Sequence, residues 1–191
     1  MNNSKKMTAV VVSLLLILCL GAGGTLAFLI DTKEPVVNEF QPANVTPTIV
    51  ETFNGKTKEN VKIKNSGNAN AYIRVAVVAS WQVSDGVLYG KVPQLGEDYT
   101  MTLNLEKDGW FYCENDGFCY YSKAVAPGGE TGILIQNAAP IADKAPEGCT
   151  LHIEIVAQTI QSDWSGSDLA QHPAAQHWGV TVAADGNISK G

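Results

Sequence analysis

The residues best suited to chemistry in this chain are few and poorly spaced for it. There are three histidines, His152, His172 and His177. Zinc hydrolysis wants three protein ligands, an open coordination position and a base, often as H-E-x-x-H on one helix. No such run occurs. His172 and His177 are five residues apart, which puts them about 140° apart on a helix, and Pro173 stands between them. His152 and Glu154 fall on one face of a strand and could share a metal; the plainer reading is a solvated face opposite Leu151 and Ile153. Asp163, Asp168 and Asp185, near glycines and serines, offer oxygen ligands, but their spacing matches no calcium loop, and they read as turn and cap residues. No G-x-S-x-G element, Walker loop or dinucleotide fingerprint is present. The expectation is a protein without catalytic residues, metal or cofactor, hence not an enzyme.

Two further features carry chemistry of a structural kind. Arg74 sits amid Ile73, Val75, Ala76 and Val77. A charge so placed must reach a carboxylate, a carbonyl or water, and the expectation is a structural salt bridge or an outward-facing strand position. The second feature is a set of three cysteines, Cys113, Cys119 and Cys149, that follow the N-terminal apolar run. Whether Cys113 bonds Cys119 depends on the turn between them. A two-residue Asp116-Gly117 loop sends the two to opposite faces. A three-residue Asn115-Asp116-Gly117 loop with a glycine bulge sets them opposite one another, within the roughly 4.4–6.8 Å Cα separation of a disulfide. Asn-Asp-Gly suits the bulged loop, so a Cys113–Cys119 bridge is expected, with Cys149 free or intermolecular.

These residues need a scaffold, and the chain spells one out. Lys5 and Lys6 precede an apolar run, Ala9 to Leu20, followed by Gly21-Ala22-Gly23-Gly24-Thr25-Leu26-Ala27, the layout of a secretory signal peptide cut between Ala27 and Phe28. The alternative is a retained anchor, since 24 residues without charge separate Lys6 from Asp31 and a bilayer needs about 20. Cleavage takes the formal charge from −6 to −8. So acidic a surface argues against nucleic acid and against anionic lipid, and suits a secreted protein.

Residues 28–47 carry Pro35, Pro42 and Pro47, which rule out a helix or a central strand. They read as an extended arm with Val36, Val37, Phe40 and Val45 as its apolar side chains. The domain proper is 48–191. Its organising stretch is Asn60 to Trp81: Val61 and Ile63 alternate with Lys62 and Lys64, Asn65-Ser66-Gly67-Asn68 turns the chain, and Ala71 to Trp81 is apolar enough for burial on both faces. Further strands are expected over Thr48–Phe53, Tyr99–Leu105, Trp110–Lys123 as a hairpin, Gly132–Gln136, Cys149–Ile160 and Trp178–Val182, with a loop over 137–148. Short strands with frequent turn signals point to an all-β, antiparallel, jelly-roll-like sandwich, with at most one short helix near residues 167–177, capped at Ser167.

Taken in order, several short runs resemble the TasA/camelysin family. Gly23-Gly24-Thr25-Leu26-Ala27-Phe28 followed by Asp31 is similar to that family's export signal. Asn38-Glu39-Phe40-Gln41-Pro42-Ala43-Asn44-Val45 resembles its N-x-F-x-x-G-x-V segment, with Ala43 where glycine is usual. Asn60-Val61 through Ala71-Tyr72-Ile73-Arg74-Val75 resembles its central pair of strands. Asp116-Gly117-Phe118 with Tyr120-Tyr121, Pro127-Gly128 with Glu130-Thr131, Ala157 to Gln161 and Trp178 continue the likeness over nearly the whole chain.

The resemblance implies a jelly roll exported from a Gram-positive bacterium, processed by a SipW-type signal peptidase and found at the cell surface or outside the cell. It implies a structural role in biofilm-matrix fibres, with copies of itself or related matrix proteins as partners and the arm of one subunit completing the sheet of the next. Two other readings are a camelysin-like secreted metalloprotease and a membrane-anchored surface binding module.

Overall fold

A computed structural model describes residues 43–83 and 86–191. Within them the chain forms β1 (Pro47–Phe53), β2 (Lys58–Asn65), β3 (Ala71–Gln82), β4 (Tyr99–Leu103), β5 (Trp110–Cys113), β6 (Phe118–Val125), β7 (Ile135–Pro140), β8 (Thr150–Gln161), α1 (Pro173–Trp178), β9 (Val180–Val182) and β10 (Ile188–Lys190). All pairings between strands are antiparallel. One sheet runs β1-β2-β7-β4, a second β5-β6-β3-β8, and β9 and β10 form a separate ribbon. No helix among the described residues is long and apolar enough to cross a membrane.

The alternation in β2 does what its pattern predicts. Val61 and Ile63 are fully buried while Lys62 and Lys64 stay partly exposed. They meet Ile135 and Ala138 of β7, Ile73 and Val75 of β3, and Ile153 and Ile155 of β8 in one core between the two four-stranded sheets. The long pairing of β3 with β8, from Ala71 opposite Gln161 to Gln82 opposite Thr150, sends alternate residues of both strands into that core. The outer face of this sheet carries a second cluster, in which Tyr72 and Tyr120 pack against Ala174, Val180, Val182 and Ile188 of α1 and the β9–β10 ribbon.

The β2–β3 turn is held from within and from before. Buried Asn65 donates its side-chain amide to the carbonyls of Ala69 and Val125, at 2.8 and 2.9 Å, and accepts from the Gly67 amide at 3.0 Å. Residues ahead of β1 lie on the same turn: the Ser66 and Asn68 amides donate to the carbonyls of Thr46 and Asn44. Gly67 is required there, because a Cβ would stand 2.0 Å from the Asn44 carbonyl oxygen.

Some elements differ from the sequence expectation. Residues 137–140, expected as loop, belong to β7. Alanine and asparagine signal a strand weakly, but β7 lies between β2 and β4, and ladders on both sides define it. Trp178 ends a helix and does not start a strand, with Gly179 at φ 64° as its left-handed cap. The helical stretch is capped by Asp168 and His172, not Ser167.

Candidate functional site

Arg74 lies on the outer face of β3, where its neighbours in sequence point into the core. Its partners come from three other segments. Nε donates to Gln158 Oε1 at 2.9 Å from the adjoining position on β8. Nη1 donates to the Tyr120 hydroxyl at 2.9 Å and to Asp116 Oδ2 at 3.3 Å. The guanidinium stands over the rings of Phe118 at 4.2 Å and Trp178 at 4.9 Å, within the roughly 6 Å of cation–π attraction. Tyr120 is in turn stacked on Phe111 at 5.3 Å and 9°. The expected partner of Arg74 is therefore a carboxylate, inside an aromatic enclosure.

The electrostatics follow from this packing. Burial by itself would raise the Asp116 carboxyl, but hydrogen bonds from the Tyr120 hydroxyl, the Phe118 amide and the Cys113 thiol, with the Arg74 charge, outweigh it and hold the group below the ordinary carboxylate range. The Tyr120 phenol is pushed up to about 12, first by burial and then by the hydrogen bond it gives Asp116. Every polar head in the cluster has a partner, so it is a closed structural network.

The expected Cys113–Cys119 bridge is not formed, because the hairpin loop has neither of the two lengths considered. It contains four residues, Glu114 to Gly117, and is closed by the Gly117 amide donating to the Cys113 carbonyl at 3.0 Å. Cys113 then pairs with Phe118, and Cys119 with Tyr112. One residue of register puts the two sulfurs on opposite faces of the sheet: Cys119 packs in the inter-sheet core and Cys113 against the outer cluster. The physical reason is Asp116, whose carboxylate is drawn onto Arg74 and Tyr120, and whose Oδ1 accepts from the Phe118 amide at 3.1 Å. Cys113, Cys119 and Cys149 are all free thiols, and burial pushes Cys119 up to about 11.

The histidines do not converge. His172 is 1% exposed, and both ring nitrogens are committed. Nδ1 accepts from the Ala174 amide at 3.0 Å, capping α1. Nε2 lies 3.1 Å from the Ser162 carbonyl, which can only accept, so Nε2 carries the proton. His177 lies in the last turn of α1, and His152 and Glu154 are exposed on β8. Among the described residues no three histidine, cysteine or acidic side chains gather as a metal site. Asp163 accepts from Asn70, while Asp168 and Asp185 close local turns.

Of the arm residues, Val45 is described. It is half-buried, and its carbonyl accepts from the Thr159 hydroxyl of β8 at 2.9 Å. Val36, Val37 and Phe40, and the Ala27–Phe28 junction, lie outside the described residues. No family model, curated protein or solved structure matches this chain.

Sequence reasoning missed Asp116, Tyr120, Gln158, Phe118 and Trp178 as surroundings of Arg74. The usable signal was strand alternation: Arg74, Tyr120 and Gln158 all sit out of phase with the core residues of their strands. It also missed Trp81, whose buried indole Nε1–H has no hydrogen-bond partner among the described residues.

Proposed function

We propose that this chain is an exported, non-enzymatic structural protein of the cell surface or biofilm matrix. It is processed by a SipW-type peptidase after Ala27 and assembles through its N-terminal arm with copies of itself or related matrix proteins, on a sandwich of the jelly-roll type. The resemblance to the TasA/camelysin family motivates the reading.

The observation that carries it is the outer edge of β8. This strand is twelve residues long, and among the described residues it pairs only with β3. An edge of that length presents a row of backbone donors and acceptors on which an extended segment can add as a strand. Ahead of β1, Val45 contacts this strand, its carbonyl accepting from the Thr159 hydroxyl. On this proposal residues 28–42, which precede Val45 in the sequence, add to such an edge of their own or of a neighbouring copy. Pro35 and Pro42 disfavour a helix in this stretch, and Val36, Val37 and Phe40 would supply the side chains.

Electron microscopy and N-terminal sequencing of the secreted protein test this together. The expected result is a mature N-terminus at Phe28 and fibres that disappear when residues 28–42 are deleted. A mature protein that stays monomeric, with the deletion changing nothing, overturns the proposal.

A further inference from the structure

We propose that Asn54 is a modification site, at which the turn between β1 and β2 converts the side-chain amide to a carboxylate with water as the co-reactant. The turn runs from Asn54 to Thr57 and is closed by the pairing of Phe53 with Lys58. It holds the chain's single Asn-Gly step, and both residues are exposed. Glycine meets the turn's need for positive φ, 89° at Gly55, and leaves no Cβ beside its nitrogen.

The reaction is a ring closure followed by hydrolysis. The Gly55 nitrogen attacks Asn54 Cγ and gives up its proton to solvent. The Cγ–Nδ2 bond breaks, and the amide takes up a proton and leaves as ammonia. Water then opens the succinimide at either carbonyl. Cleavage at Cγ yields aspartate; cleavage at the main-chain carbonyl yields isoaspartate, whose backbone runs through Cγ. Each event consumes one water, releases one ammonia and adds one negative charge, taking the formal charge of the chain from −6 to −7. The aspartate product keeps the turn, because a carboxylate oxygen can accept from the same amides. The isoaspartate product inserts a backbone carbon between β2 and the edge strand β1.

The turn supplies what each step needs. Asn54 Oδ1 accepts from the Lys56 amide at 3.1 Å and from the Thr57 amide at 2.8 Å. Negative charge gathers on this oxygen as the ring closes, so the two N–H groups serve as an oxyanion hole. The Gly55 amide is the nucleophile and Asn54 Nδ2 the leaving group, and neither has a hydrogen-bond partner among the described residues. A Cβ built on Gly55 would meet nothing within 4 Å, so the position is uncrowded. Two related steps lack this arrangement. At Asn65-Ser66 the asparagine is buried, its Nδ2 donates to two carbonyls, and the Ser66 amide donates to the Thr46 carbonyl at 2.7 Å. At Asp116-Gly117 the carboxylate is held by Arg74 and Tyr120, and the Gly117 amide donates to the Cys113 carbonyl at 3.0 Å. In both, the nucleophilic amide is already engaged.

The test is peptide mapping by mass spectrometry of the whole chain, folded and in concentrated urea, each held at neutral and at mildly alkaline pH. In the folded chain Asn54 should convert to aspartate and isoaspartate before any other asparagine of the described residues, and faster at the higher pH. Conversion should be about tenfold faster folded than unfolded, the worth of roughly 1.4 kcal/mol of transition-state stabilisation. Asn54→Gln, whose longer side chain would need a six-membered ring, should stop ammonia release from this turn and leave the other asparagines as they were. The proposal is overturned if folded Asn54 keeps its amide while the unfolded chain loses it, if the two states convert at one rate, or if another asparagine of the described residues converts first.

Discussion

Ile73 and Val75 face one region of this molecule and Arg74, between them, faces another. The inter-sheet core is largely apolar: valine, isoleucine and leucine with Trp110, Tyr99, Ala138 and one thiol, pressed together mainly by non-directional burial. The outer cluster is built around a charge, and its contacts are directional. A fork of guanidinium N–H groups must find a carboxylate, a phenol and an amide oxygen while two rings flank it. The core accepts any well-shaped apolar neighbour. The cluster depends on individual atoms from segments 42, 46 and 84 residues away. Two sides of one strand thus obey different physics, and the difference sets how each should fail.

The largest effect is expected in the core. Trp110→Ala should cost about 3–5 kcal/mol, as large-to-small core replacements of aromatics do, read as a lowered midpoint in urea unfolding. Arg74→Ala should cost less, about 1–3 kcal/mol, from the lost charge-assisted hydrogen bonds and ring contacts. Arg74→Lys should recover only part of it, because an ammonium cannot reproduce the fork. If Arg74→Ala costs as much as Trp110→Ala, the contrast between the two regions is wrong.

A smaller effect separates the regions by pH. The Asp116 carboxyl is held below its usual range, so its charged form is favoured in the folded state. That stability is present above the unfolded carboxyl value near 4 and disappears as pH falls through the folded value. Asp116→Asn should therefore flatten the acid limb of a stability–pH curve and leave the neutral plateau only slightly lower. Equal steepness in both proteins would break the assignment.

The smallest effect is expected from the thiols. With Cys113 and Cys119 on opposite faces, a reducing agent should leave the unfolding midpoint unchanged. Alkylation of the native protein should modify Cys149 and Cys113 well before the 4%-exposed Cys119. A midpoint that drops on reduction would mean the hairpin register is different.

These contrasts also explain what could be read without coordinates. β2, β3 and β8 were legible because period-2 alternation and β-branched runs are local properties, written in consecutive residues. β7 was hidden in Asn137-Ala138-Ala139-Pro140, whose strand state comes from neighbours on both sides. Cys113 and Cys119, six positions apart, left two loop lengths open, and neither occurs. The charge of Asp116, reaching a strand far away in sequence, selected a third.

By itself the sequence determined the class of fold, the turn at Asn65 to Asn68, the inward set of Val61, Ile63, Ile153 and Ile155, and the need of Arg74 for a partner. These follow from local periodicity and from the cost of burying an unpaired charge. Only the tertiary structure decided which partner Arg74 has, which face each cysteine takes, and that Trp81 is buried without an acceptor among the described residues. Those outcomes depend on the meeting of distant segments, where a one-residue change of register or loop length moves a side chain to the other side of the sheet.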